Sequence, residues 1–425
     1  MSELLHGVLD VGDESEAGRA RVEAWSEAVH RSFLEARPDD GRTRRLVDNA
    51  VAQSARVAGA WRPETTLPGA EVPVGTLASW QGEITVAPGR SLPLHMITDV
   101  TVAPTHRRRG LARRLMTDDL AHAVAQGRPL AALTVSEGSI YGRFGFGLGT
   151  RLRHVVVDLG ARFALRREPA PPGTFTLVDP ATAWPHVQRV FAAHAAATRG
   201  AVGRPQFYES ILTGAFDWES GSENRKLRAV LHLDAGGAAD GYALWSLAGQ
   251  VEGRETIDVV DLVGLTPEVQ VALWRQLADI DLVEQARWRR APLSGVLDWA
   301  LTDPRVVTTT KVADLLWVRV LDVPAALGAR AWGADGSVVL DVDDALGHAA
   351  GRWRVEVVDG VARVGATEDA ADLRLAADTL GALYLGGVTT DVLAAAGRLV
   401  GEPSAVQRWA RMADVGPEPW CTTGF

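Results

Sequence analysis

Three consecutive arginines run into a glycine at Arg107-Arg108-Arg109-Gly110, between a strand-like stretch ending at Pro104 and a helical pattern beyond it. The first turn of a helix presents backbone N–H groups without intrahelical partners and the positive end of the helix dipole. Cations there oppose that dipole, so the arrangement calls for a bound anion more than for a plain surface helix with a basic first turn. Gly110 and Ala112 are small enough to let a polyanion approach the backbone, and Arg107 to Arg109 and Arg113 offer charge-assisted hydrogen bonds. The chemistry that fits is capture of a diphosphate.

A second place for chemistry is Ser136 to Phe146, SEGSIYGRFGF, which holds one of only four tyrosines, Tyr141, among glycines at 138, 142 and 145. A phenol has a reference pKa of about 10, so it is protonated at neutral pH and can donate to a leaving thiolate whose conjugate acid lies near 8.5. The plainer role for Tyr141 is to pack its own loop.

The elements that must position these residues follow from periodicity. Arg21 to Glu35 reads as helix, then Gly75 to Trp80, Glu83 to Val86 and His95 to Val102 as strands. Thr105 to Gln126 is predicted to be a helix with apolar positions Leu111, Leu115, Leu120 and Val124, and Leu130 to Val135 returns to strand composition. Strand, helix, strand suggests a parallel or mixed sheet. The same order recurs at Arg228 to Leu233, Gly241 to Leu247 and Thr256 to Leu265. There, Ile257 to Ala278 repeats the passage from apolar strand through proline to amphipathic helix without the arginines and glycine. A third segment alternates strands (Val338 to Val342, Arg352 to Val358, Val361 to Val364) with helices near Ala325 to Ala331 and Ala376 to Leu385, an α+β pattern. Breaks fall at Arg166 to Gly173, rich in proline, and at Thr302 to Lys311.

The chain has 425 residues, 47% hydrophobic and 23% charged, which fits two to four folded domains. Its 53 acidic against 44 basic side chains argue against nucleic acid as partner and suit a cationic small molecule. A single cysteine, Cys421, permits no intrachain disulfide. With no signal-like N-terminus and no apolar run of membrane-spanning length, this points to a cytoplasmic protein. The ten histidines show no H-E-x-x-H spacing and the glycine turn lacks the lysine of a nucleoside-triphosphate loop, so neither a metal nor a Walker-type site is expected.

Val100 to Ala112, read as V-x-V-x-P-x-x-R-R-x-G-x-A, resembles the acetyl-CoA motif of the GCN5-related N-acetyltransferase (GNAT) family, and the Y-x-R-F-G-F loop at Tyr141 is similar to that family's tyrosine loop. These motifs, together with LLWVRVLDVPAALGAR at Leu315 to Arg330, LGALYLGG at Leu380 to Gly387 and an ending at Phe425, resemble one branch, the enhanced intracellular survival (Eis) proteins. The resemblance implies an α/β and α+β architecture: two tandem GNAT-like mixed-sheet domains, at 1–168 and a degenerate one at 174–305, followed by a sterol-carrier-protein-like domain at 312–425. It implies an acetyl-CoA site made by Val100, Thr101, Val102, Arg108, Arg109, Gly110, Leu111, Ala112 and Arg113, with Ser136 and Glu137 at its edge. It further implies Tyr141 as general acid, the C-terminal carboxylate of Phe425 as general base, a homohexamer, and polycationic amines such as aminoglycosides as substrates. The α-carboxylate, with a reference pKa near 3.5, is charged and can hold an ammonium. Glu27, Glu35 and Asp99 are acidic candidates for holding substrate that the sequence does not rank. Two other readings share the motifs: a lysine acetyltransferase acting on protein or peptide, and a coenzyme A- or lipid-binding module without catalysis.

Overall fold

The computed structural model describes residues 4–63, 69, 71–217 and 220–425. The chain divides into two compact units: Met1–Gly149 with Leu316–Pro417 and Gly424–Phe425, and Thr150–Leu315 with Glu418–Thr423.

The first unit contains a seven-stranded sheet in the order Leu5–Leu9, Arg56–Trp61, Gly75–Ala87, Arg90–Val102, Leu130–Thr134, Leu316–Val320, Gly147–Leu148. One pair is parallel, Arg90–Val102 with Leu130–Thr134, as the strand-helix-strand order requires. Gly75 to Trp80 and Glu83 to Val86 prove to be one continuous strand, Gly75–Ala87, because nothing between them breaks the ladder with Arg90–Val102. The crossover helix is Leu111–Ala125, shorter than the expected Thr105 to Gln126. Its buried face is Leu111, Leu115, Met116, Asp119, Leu120 and Ala123, which packs on Leu77, Ile97, Ala131 and Leu133. That face follows the 3.6-residue period, so Val124 points outward at 41% exposure and a carboxylate, Asp119, takes a core position.

Leu316–Val320 does not stay with the third segment. It inserts between Leu130–Thr134 and Gly147–Leu148, antiparallel to both. Close contact fixes this corner. A Cβ on Gly147 would lie 1.9 Å from the carbonyl oxygen of Asp378, and one on Gly381 would lie 2.2 Å from that of Val318. Gly147 therefore serves backbone-to-backbone packing against the helix Ala377–Tyr384, and Gly145 serves a turn, with a φ of +77°. The same unit carries a five-stranded sheet, ordered Val361–Ala366, Gly351–Val358, Gly336–Asp343, Leu373–Ala376, Leu399–Gly401.

The second unit is a seven-stranded sheet ordered Val307–Asp314, Arg151–Asp158, Gln285–Ala291, Arg254–Gly264, Ala239–Val251, Leu227–Asp234, Gly173–Val178. Arg151–Asp158 thus pairs with strands that follow it in sequence, Gln285–Ala291 and Val307–Asp314. Arg254–Gly264 and Gln285–Ala291 are parallel and are joined by the helix Pro267–Ala278, the same unit as in the first sheet. Trp420 is packed: its indole N–H donates to the Arg290 carbonyl at 3.1 Å and its ring meets Trp288 edge-on at 6.0 Å.

Candidate active site

The parallel pairing between Arg90–Val102 and Leu130–Thr134 stops at Ile97 and Leu133, while the first strand runs on to Val102 along its other neighbour. The divergence coincides with a bulge. Between the pairs Ala78–Thr98 and Thr76–Thr101 one strand has an extra residue, and Asp99 adopts a φ of +52°. Thr76 clamps the bulge, its hydroxyl donating to the Asp99 carbonyl at 2.7 Å and pairing with the Thr101 hydroxyl at 2.6 Å.

Where the strands part, a cavity of about 240 Å³ opens, lined by Phe33, Ile97, Thr98, Asp99, Val100, Leu133, Thr134, Val135, Ser136, Tyr141 and Phe425. Tyr141 ends the short helix Gly138–Tyr141 and is 8% exposed, its ring edge-on to Phe146 at 6.4 Å. Burial, aided by the charge of Glu137, raises its phenol above the usual range, so the hydroxyl keeps its proton. The Thr134 hydroxyl donates to the main-chain oxygen of Phe425, and the Phe425 ring meets Trp80 edge-on at 6.1 Å. The N-terminal helix Glu16–Ser32 ends just before Phe33, another wall of the cavity.

At the end of the first of these strands a single 3₁₀ turn, Pro104–His106, precedes the helix. Arg108 and Gly110 have left-handed φ values of +62° and +79°, and Gly110 is the N-cap of Leu111–Ala125. The helix therefore starts at Leu111 and not past Pro104: left-handed backbone at 108 and 110 is incompatible with a helical run through them. A Cβ on Gly110 would meet nothing within 4 Å, so conformation and not space requires glycine here. With no side chain to cap it, the helix makes its first internal bond from the Arg114 amide to the Gly110 carbonyl at 2.9 Å. Among the described residues no acceptor meets the amides of Leu111, Ala112 and Arg113. Arg107, Arg108, Arg109 and Arg113 are exposed around this turn, while Arg114 pairs with Asp118 at 3.8 Å. Three bare amides beside free cations fit a diphosphate.

The corresponding turn of the second unit is closed. Thr266 caps Pro267–Ala278, its side chain accepting from the Val269 amide at 3.2 Å, and Pro267 at the first position has no N–H to offer. Glu268 adds a negative charge in that turn. The second copy keeps the strand-helix-strand frame and fills its own anion site.

Of the residues singled out in the sequence, Val100, Ser136, Tyr141 and Phe425 meet at the cavity, and Arg108 to Arg113 form the turn. Thr101 and Val102 continue the strand towards that turn, with Thr101 buried, and Glu137 is exposed beside the Tyr141 helix. Of the acidic candidates, Asp99 lines the cavity, whereas Glu27 pairs with Arg37 at 2.9 Å and Glu35 with His30 at 3.7 Å. Sequence reasoning missed Phe33, Ile97, Thr98, Leu133, Thr134 and Val135. Thr134 alone carried a signal, as the one polar residue in the strand LAALT.

A sheet whose central parallel strands splay over a cavity, followed by a helix with an open, glycine-capped N-terminus, defines the GCN5-related acyltransferase class. Models of acetyltransferase (GNAT) domains match residues 15–149 and 200–320, and a sterol carrier protein domain model matches 323–422. The chain is 34% identical over 423 residues to an uncharacterized N-acetyltransferase of Streptomyces avermitilis, covering 96% of this chain and 97% of the relative. It is 35% identical over 349 residues to N-acetyltransferase Eis of Mycobacterium tuberculosis, covering 80% and 82%. The crystal structure of Eis1 from Mycobacterium abscessus superposes with a TM-score of 0.82 at 28% identity over the whole of both chains. A GCN5-related N-acetyltransferase of Anabaena variabilis shares the fold, with a TM-score of 0.82 at 18% identity and full coverage of both chains. The chain belongs to the Eis family of the GNAT superfamily and is an N-acetyltransferase. Enzymes of this superfamily use acetyl-CoA. Among the described residues, no helix is long and apolar enough to cross a membrane, and no cluster of His, Cys, Asp or Glu is placed to hold a metal.

Proposed function

We propose that the chain transfers an acetyl group directly from acetyl-CoA to an amine in the cavity between Arg90–Val102 and Leu130–Thr134, with Tyr141 as general acid and the Phe425 carboxylate as general base. The observation that carries this reading is that one cavity is lined by both the Tyr141 side chain and the C-terminal residue. Acetyl-CoA supplies a thioester acyl group and a thiol leaving group. The amides of Leu111, Ala112 and Arg113, with Arg108 and Arg109, hold the diphosphate. Gly110 leaves that turn uncapped, Val100 to Val102 take the pantetheine arm along the splayed strand, and Ser136 and Glu137 stand at the cofactor's edge.

The amine arrives as an ammonium, which the Phe425 carboxylate attracts and whose proton it accepts, directly or through water. Tyr141 gives its proton to the departing sulfur, and its raised pKa keeps that proton available through the neutral range. The apolar walls Phe33, Ile97, Leu133 and Val135 exclude bulk water from the acyl group. Acceptors are polycationic amines such as aminoglycosides, in a cytoplasmic homohexamer. Thiol release from acetyl-CoA across a panel of amines tests the reading. Turnover is expected with polyamines and to fall by about 10²–10⁴ in Tyr141→Phe; release that is independent of amine, or unaffected by that substitution, contradicts it.

A further inference from the structure

Phe425 is not alone in bringing negative charge to the cavity. Asp99 lines it as well, and among the described residues no lysine or arginine does. Asp99 stands at the bulge with a φ of +52°, a conformation that costs a non-glycine residue roughly 1–2 kcal/mol and that aspartate and asparagine tolerate best. The Thr76 hydroxyl holds the Asp99 carbonyl, but among the described residues the Asp99 carboxylate has no hydrogen bond or ion pair. A carboxylate that is mostly buried and lacks a partner is destabilised as an anion, and it stands on strained backbone where the cavity begins. Of its titratable neighbours, His30 favours the carboxylate and Glu35 opposes it. The His30 imidazole donates from Nδ1 to the Ser26 carbonyl at 2.8 Å and turns Nε2 to Glu35 at 3.7 Å. Tyr141 and the Phe425 carboxylate line the same cavity.

We propose that Asp99 is an ammonium anchor that makes the cavity select acceptors carrying a second positive charge over monoamines of the same length. This deepens the acetyl-transfer reading above and rests on it. A monoamine neutralises one of two carboxylates in a partly dehydrated space, whereas a diamine neutralises both, and the gain is larger there than in water. Burial pushes the Asp99 carboxyl up to about 6, with His30 opposing and Glu35 adding to the shift. The anchor is therefore charged above that pH and neutral below it. KM for a diamine rises as pH falls through about 6 in the wild type, and Asp99→Asn abolishes that step.

The test compares 1,5-diaminopentane with 1-aminopentane as acceptors for the full-length protein, reading the ratio of their kcat/KM values by thiol release. Asp99→Asn keeps the size and the left-handed preference of the residue, and the ratio is expected to drop roughly ten- to hundredfold, the span of one charged hydrogen bond. Asp99→Glu is expected to retain part of it. An unchanged ratio in Asp99→Asn overturns the proposal. If the wild type acetylates neither amine, the acetyl-transfer reading of the cavity fails. The anchor is then judged by calorimetric binding of 1,5-diaminopentane, which is weakened in Asp99→Asn if the proposal holds and equal in both proteins if it does not.

Discussion

Thr134 and Phe425, 291 positions apart in the chain, are joined by a hydrogen bond from the Thr134 hydroxyl to the main-chain oxygen of Phe425. The last strand residue of the splayed pair thereby holds Phe425 at the wall of the cavity that Tyr141 shares. If Phe425 bears the carboxylate proposed as base, the hydroxyl bonds an anion, and its loss is felt more than that of a neutral pair.

Thr134→Val keeps the β-branched shape and removes the donor. Steady-state kinetics on the variant are expected to show kcat/KM for the amine reduced about tenfold or more, with Thr134→Ser restoring most of it. A valine variant as active as wild type would mean that the carboxylate is held by other means.

The two helix N-termini make a matched pair of substitutions. Gly110→Ala places a Cβ at a φ of +79° and is expected to raise KM for acetyl-CoA by deforming the turn, with a stability loss of about 1–2 kcal/mol. Thr266→Ala removes the cap of the second copy and is expected to lower stability by about 0.5–2 kcal/mol while leaving KM for acetyl-CoA as it was. Urea denaturation beside cofactor titration separates the two effects; a KM change in Thr266→Ala would show that the second turn takes part in cofactor binding.

How much of this could be read in the sequence depends on how local the cause is. The phosphate turn and the tyrosine loop are contiguous segments, and the parallel strand pair follows from strand-helix-strand order, so all were legible. The start of the helix was not, because positive φ at Arg108 and Gly110 leaves no mark in hydrophobic periodicity. The cavity brings together residues 33, 99, 134 and 425, and no spacing rule joins them. Leu316–Val320 looks like an ordinary buried strand, and only its pairing with Leu130–Thr134 and the glycine contact at Gly147 reveal which sheet it completes. The packing of Trp420 leaves no local mark, because the aromatic partner and carbonyl it meets, Trp288 and Arg290, lie more than a hundred residues away.

Asp119 is a fully buried carboxylate that ties the crossover helix to three strands. His95 Nε2 stands 2.7 Å away, the Ser79 hydroxyl donates at 2.8 Å and Arg56 at 3.1 Å. Asp119→Ala leaves the arginine and histidine without their anion, and equilibrium urea unfolding is expected to show a loss of about 3–5 kcal/mol. A loss under about 1 kcal/mol would contradict the view that this network anchors the helix.

His194, in the second unit, is held neutral. Burial pushes its imidazole down to about 4, with Asp261 opposing and Arg204 adding to the shift. The unfolded chain takes up this proton near pH 6.5 and the folded chain only near 4, so the unfolded state binds more protons between those values. Stability from this group is complete above about pH 6.5 and declines as pH falls towards 4, by on the order of 3 kcal/mol in total. Unfolding measured from pH 7 to 4 is expected to show the decline in wild type and a shallower one in His194→Leu; parallel curves would remove His194 as its cause.

The base assigned to the C-terminus can be tested without touching any side chain. Semisynthesis with an amidated Phe425 replaces the carboxylate by a neutral amide and keeps the ring against Trp80. Acetyl-CoA-dependent thiol release with a polyamine is expected to lose about 10²-fold or more in kcat on amidation, the span of a removed general base. Equal turnover by the amidated and the native protein would contradict the account.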